Sequence, residues 1–175
     1  GNTSIKYAEA FFKHLNADAI TLSPYMGFDA VEPYLQYPGK FSIVLGLTSN
    51  KSNSDFQLHT DAKGQKLYQK VAEKVASWGT PNNLMLVVGA TNPKEFEDFR
   101  AILPNHFLLV PGIGAQGGDL EEVAKYGLNS TCGLIVNSSR SIIYASNGQQ
   151  FAQDARKAAK AYQTQMASIL DKAGL

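Results

Sequence analysis

Leu84-Met85-Leu86-Val87-Val88, followed by Gly89-Ala90-Thr91-Asn92-Pro93-Lys94-Glu95, decides the fold class. Five consecutive apolar residues bounded by turn formers are too short for a buried helix. They lack the alternation of a half-solvated strand, so they read as a strand covered on both faces, which is the habit of parallel sheets. The Thr91–Glu95 segment then opens a helix that carries Phe96, Phe99 and Leu103. The same strand-then-helix unit recurs on either side. Upstream, Ala19–Leu22 precedes a short helix over 29–35, and Phe41–Leu47 precedes a polar loop over 48–64. An amphipathic helix then follows, spaced by Leu67, Val71, Val75 and Trp78. Downstream, Phe107–Val110 leads through a glycine-rich loop to a helix over 120–126, and Gly133–Val136 leads to a long helix over 150–170. Strands alternating with helices specify an α/β chain with a parallel sheet, here of five strands.

Two architectures share that pattern. A five-stranded doubly wound sheet is complete at this length, whereas a (β/α)8 barrel needs about 250 residues and eight units. The chain opens Gly1-Asn2-Thr3-Ser4, helix-capping chemistry, and leads into Ile5, Ala8, Phe12 and Leu15 at helical spacing with no strand before them. That start favours a TIM barrel of which residues 1–175, read as one domain, supply about the last five βα units.

Composition narrows the function. Of 175 residues, 44% are hydrophobic and 18% charged, as in globular proteins, and no apolar run reaches the length of a membrane span. Lys and Arg number 16 against 15 for Asp and Glu, a net charge of +1, so nucleic-acid binding by charge is not expected and any phosphate must be gripped locally. The single cysteine, Cys132, excludes an internal disulfide and a thiolate metal cluster; it reads as a small apolar residue beside a strand in a reducing, cytoplasmic setting. The sequons at Asn2, Asn129 and Asn137 have no secretory context and read as chance.

Ligands of parallel α/β proteins bind at the carboxyl ends of the strands. Those ends carry Ser23–Gly27, Thr48–Lys51, Gly89–Asn92, Pro111–Asp119 and Asn137–Arg140, with no carboxylate pair, histidine cluster or Ser-His-Asp set. The richest is Pro111-Gly-Ile-Gly-Ala-Gln-Gly-Gly-Asp119. Its Gly112, Gly114 and Gly117 match G-x-G-x-x-G, but the next strand ends in Val136-Asn137 without the acid that a dinucleotide ribose requires. An anion cradle at a helix N-terminus fits better, with Gln116 and Arg140 gripping one phosphate from adjacent loops. His14 and His106 lie away from the ligand face, His59 sits in the polar loop without a role, and Lys51 reads as a solvated loop lysine. The stretch over 52–63 and the loop after Gly114 read as mobile.

Taken together, Thr21-Leu-Ser-Pro-Tyr-Met-Gly27, Leu47-Thr-Ser-Asn-Lys51, Val110–Asp119 and Asn137-Ser-Ser-Arg-Ser-Ile-Ile-Tyr144 resemble the orotidine 5′-phosphate decarboxylases, most closely their bacterial subgroup with Pro-Tyr-Met-Gly and Thr-Ser-Asn-Lys motifs. The resemblance implies a dimeric TIM barrel that converts orotidine 5′-phosphate to uridine 5′-phosphate and CO2 in pyrimidine biosynthesis without metal or cofactor. It implies that Gln116 bridges phosphate and pyrimidine, that Arg140 and the Ser139 N–H bind phosphate, and that Pro111 lines the base pocket. It implies that Ser49 contacts the pyrimidine amide, with Asn50 the alternative. The family's signature Asp-x-Lys-x-x-Asp-Ile-x-x-Thr is matched only at its last position, Thr3, which in the family reaches the partner subunit's ribose. The catalytic Lys and Asp residues are then expected upstream of this chain, so the 175 residues alone are expected to bind nucleotide without turnover. The competing expectations are another phosphate-binding barrel enzyme of the same superfamily and a non-enzymatic flavodoxin-like module.

Overall fold

The computed structural model describes residues 1–175. Five strands form one sheet: β1 (Ala19–Leu22), β2 (Phe41–Leu47), β3 (Leu84–Val88), β4 (Leu108–Pro111) and β5 (Leu134–Asn137). Every pairing is parallel, and the spatial order is the chain order, β1-β2-β3-β4-β5. A doubly wound sheet reverses its strand order at a switch point. Here each crossover advances in one direction, which is the arrangement of a stretch of barrel wall and rules out the flavodoxin-like alternative. The helices are α1 (Asn2–Glu9), α2 (Phe28–Leu35), α3 (Leu67–Ala76), α4 (Phe96–Ile102), α5 (Leu120–Gly127), α6 (Arg140–Ile143) and α7 (Phe151–Ala173). None is long and apolar enough to cross a membrane.

The continuous apolar strands resolve into two faces. Val44, Leu84, Leu86, Val88, Leu108, Val110 and Leu134 point toward the helices and join Tyr68, Val75, Phe96, Phe99 and Val123 in the main core. Ile43, Met85 and Val87 point to the opposite face, where they cluster with Leu45, Phe107 and Leu109. That second face explains why β3 shows no polar alternation: all five of its residues are buried.

Three helix details depart from the periodicity. Gly1, not Asn2 or Thr3, caps α1, and no side chain bonds the free N–H groups. A π-helical turn at Ala10–His14 then adds a residue to the repeat. Ala8 and Phe12 stay buried, but Leu15 rotates off the face and is 69% exposed, as is Ile5 at 50%. In α3 the inward face is rotated toward Tyr68: Tyr68, Ala72 and Val75 are buried, Val71 and Trp78 pack half-buried against the core, and Leu67 is 38% exposed. Tyr68 determines that rotation. Its ring stacks on Phe99 with centroids 5.5 Å apart, and its hydroxyl reaches the carboxylates of Glu95 and Asp98, the latter at 2.6 Å. The segment over 52–63 has local structure of its own. Lys51–Asp55 forms a 3-10 turn, Lys70 pairs with Asp61, and the Gln57 and His59 carbonyls accept the Tyr68 and Leu67 N–H groups.

At the amino ends of the strands, Arg100 is half-buried and donates to four carbonyls: Gly127 (2.6 Å), His106 (2.7 Å), Gly133 (2.7 Å) and Leu103 (3.1 Å). One guanidinium thereby ties α4 and α5 to the entries of β4 and β5 and satisfies carbonyls that burial would otherwise penalise. Burial pulls its pKa down to about 10, so it remains charged at neutral pH. His106 lies beside it, away from the ligand face as expected, buried and with neither ring nitrogen hydrogen-bonded. Burial, with Arg100 as a second cause, lowers the His106 pKa below its ordinary value. The folded state therefore refuses a proton that the unfolded chain accepts. The His106 contribution is intact above about pH 6.5 and declines as pH falls below it. Denaturant midpoints measured from pH 8 to pH 5 should fall on the acid side, and His106→Leu should flatten that decline.

Candidate functional site

The carboxyl ends of β4 and β5 line one pocket, and the end of β2 meets its rim through Ser49. A register shift between Leu45 and Leu47 places an extra residue in β2 before it ends. Thr48 is then fully engaged: its N–H donates to Gln57 Oε1 (2.8 Å), and its carbonyl accepts from Asn53 Nδ2 (2.7 Å). Its hydroxyl donates to Asn50 Oδ1 (2.5 Å), which turns the Asn50 side chain back onto its own loop. Ser49 faces the other way and donates from Oγ to Gln116 Oε1 at 3.0 Å. Of the two residues that sequence left open, Ser49 is therefore the one set against Gln116.

This contact joins loops 67 residues apart and depends on missing side chains. A Cβ at Gly89, the first residue after β3, would lie 2.6 Å from the Ser49 backbone nitrogen. Gly112 has φ +101, and a Cβ there would press on Gln116 Oε1 at 3.0 Å and Ser49 Cβ at 3.2 Å. The loop closes on itself through Gly114 N–H to Gly118 O (3.0 Å) and Gly118 N–H to Gly112 O (3.1 Å), with Ile113 sunk into the core as its anchor. The backbone hydrogens of Ala115, Gln116, Ser138 and Ser139 donate to no protein acceptor.

Pro111, Gln116, Ser138, Ser139 and Arg140 line a pocket of about 210 Å³ together with Gly112, Ile113, Ala115 and Asn137. No acidic residue lines it. Arg140 is exposed and pairs with no carboxylate, so its guanidinium is uncommitted beside the pocket. Five of the six expected binding residues (Ser49, Pro111, Gln116, Ser139 and Arg140) are thus neighbours. The sixth, Thr3, is exposed on the first turn of α1 and bonds to none of them.

One expectation is corrected. The glycine-rich loop does not offer the α5 N-terminus to an anion, because Asp119 caps that helix itself, accepting from Glu121 N (2.8 Å) and Glu122 N (3.0 Å). The backbone N–H groups left without a protein acceptor are instead those of Ala115 and Gln116 and those of Ser138 and Ser139. Asp119→Ala should lower stability by about 1 kcal/mol, as loss of an N-cap does, read as a shift in denaturant midpoint.

Sequence reasoning also missed Ser138, Ser141 and Tyr162. Ser138 Oγ donates to Ile113 O (3.0 Å) and touches the Ser141 hydroxyl, which accepts from Tyr162 OH (3.2 Å). No local signal connects a tyrosine on α7 with a loop some 50 residues earlier. Lys51 is exposed, as a solvated loop lysine should be, and no cluster of three metal-binding side chains exists.

Comparison with known proteins gives the family. A model of the "Orotidine 5'-phosphate decarboxylase / HUMPS family" matches residues 1–155. The orotidine 5′-phosphate decarboxylase of Bacteroides fragilis is 59% identical over 170 residues, covering 97% of this chain and 62% of that protein. That of Porphyromonas gingivalis is 53% identical over 175 residues, covering 100% and 63%. Among solved structures, Leishmania donovani OMP decarboxylase superposes with TM-score 0.83 at 39% identity, covering 97% of this chain and 64% of that one. Leishmania donovani UMP synthase gives 0.79 at 41% identity, covering 91% and 36%. The chain spans about 62% of the length of the curated relatives it matches. Its five-stranded sheet is therefore part of a (β/α)8 barrel, and the chain belongs to the orotidine 5′-phosphate decarboxylase / HUMPS family.

Proposed function

We propose that this chain is the nucleotide-gripping portion of an orotidine 5′-phosphate decarboxylase, which expels CO2 from C6 of the pyrimidine to give uridine 5′-phosphate. The observation that carries the proposal is the Ser49–Gln116 contact at the edge of the pocket that Arg140 lines. An amide held by a serine hydroxyl and lining one pocket with an unpaired guanidinium suits a ligand with a pyrimidine amide at one end and a phosphate at the other. Arg140 supplies charge and a planar fork for phosphate oxygens, the Ser139 N–H adds a donor, Gln116 spans phosphate and base, and Pro111 walls the base.

Binding energy from the phosphate, remote from C6, would serve to orient the ring and assemble the reacting groups. The loss of CO2 leaves a carbanion that needs preorganised charge and a proton source. The five strand ends hold no carboxylate–lysine array: Asp119 is spent on its helix, and Lys51 is exposed. We therefore assign these 175 residues binding without turnover. We further infer a homodimer in which Thr3 faces the partner's site. It is supported by the apolar side chains Tyr25 and Met26, 91% and 80% exposed on the loop after β1. The lone thiol of Cys132 fits a cytoplasmic location.

The test is a chimera. The part of the Bacteroides fragilis relative that this chain does not cover is joined to residues 1–175, and orotidine 5′-phosphate is followed by its absorbance. The chimera should turn it over while the 175 residues alone leave it unchanged. A folded, inactive chimera would overturn the assignment.

A further inference from the structure

We propose that Tyr162 of α7 is a positioning residue for the phosphate end of the site, acting through the hydroxyls of Ser141 and Ser138 on the Ile113 carbonyl; the proposal rests on the nucleotide-binding assignment above. Each hydroxyl has one proton, and this fixes the direction of the chain. The Ser138 proton goes to Ile113 O at 3.0 Å. The proton between Ser138 and Ser141 must then come from Ser141, and that on Tyr162 goes to Ser141 Oγ at 3.2 Å. Every member is satisfied, and the chain joins the 111–119 loop to the 137–140 loop and both to α7.

The loop is also pressed directly against the tyrosine. Gly114 has φ +76, and a Cβ there would stand 2.3 Å from Tyr162 OH and 3.0 Å from Ser141 Oγ, so this turn exists only because nothing intervenes. Gln116 lies two residues beyond Gly114, and Arg140 immediately precedes Ser141. The hydroxyl of Tyr162 therefore touches the backbone that aims one phosphate-side group and the residue adjoining the other, while its ring packs on the main core. A merely core-filling tyrosine would need the ring alone.

Tyr162→Phe keeps the ring and removes the hydroxyl. Uridine 5′-phosphate and uridine are titrated calorimetrically into the wild type, Tyr162→Phe, Ser141→Ala and the double variant, with thermal unfolding in parallel. Each single variant should weaken uridine 5′-phosphate about three- to tenfold, the worth of one neutral hydrogen bond. Affinity for uridine should stay unchanged, the melting temperature should fall only by the few degrees that one lost hydrogen bond costs, and the double variant should lose little more than the worse single. If the wild type prefers uridine 5′-phosphate and Tyr162→Phe retains that preference, or weakens both ligands alike, the positioning role is wrong and the site assignment stands. If the wild type shows no preference for the phosphorylated ligand, both fall.

Discussion

Arg140→Ala should weaken uridine 5′-phosphate about ten- to hundredfold, the range spanned by losing hydrogen bonds to a charged partner. The side chain is exposed and unpaired, so its removal deprives no other group of a partner and should leave the unfolding midpoint in place. Arg140→Lys should recover only part of the loss, because an ammonium keeps the charge but not the two-pronged geometry. Isothermal titration reads both. An Arg140→Ala variant that binds as tightly as the wild type would remove the guanidinium from the site.

Phe99→Ala carries the largest expected effect on stability, about 3–5 kcal/mol. Phe99 is fully buried on α4, stacked on Tyr68 and closing over β2 at Gly46, where a Cβ would meet its ring at 2.8 Å. The space it leaves is walled by a strand backbone that cannot collapse inward, so the cavity should persist. Against a typical stability of about 5–15 kcal/mol, that loss should unfold a measurable fraction at ambient temperature. Phe99→Leu, which keeps most of the volume, should cost less. Equilibrium denaturation of the two variants separates cavity formation from loss of the aromatic stack.

The legible parts of this chain were those governed by local pattern. The uninterrupted run at 84–88, the spacing of Phe96 and Phe99 and the turn residues between them suffice for a parallel strand and its helix. Repetition of that unit gives the sheet. The direction of the sheet was less accessible, since only the strand order separates barrel wall from doubly wound sheet, and strand order is a long-range property. The face of α3 is legible in Val71, Val75 and Trp78 but not in its rotation, because Leu67 satisfies the same amphipathic period while Tyr68, with partners on α4, determines the orientation. The π-helical turn at Ala10–His14 is likewise invisible to a period of 3.6.

The site divides in the same way. Gln116, Ser139 and Arg140 stand out as polar residues at strand ends among glycines, and their convergence follows from β4 and β5 being adjacent. That Ser49 rather than Asn50 meets Gln116 follows from the hydrogen bonds of Thr48, which no spacing rule supplies. Asp119 looked like part of an anion cradle by composition and proved to occupy the helix end that an anion would have used. Arg100, the hub for four carbonyls at the opposite end of the strands, carries no sequence signal at all.

The central claim is that the Ser49–Gln116–Arg140 constellation recognises a pyrimidine joined to a phosphate. Its most direct test is the affinity of the protein for uridine 5′-phosphate and ribose 5-phosphate, measured side by side by calorimetry. Recognition of both ends predicts at least about a tenfold preference for the nucleotide, since a single hydrogen-bonded base contact is worth about that factor. Equal affinities, or binding of neither, would contradict it.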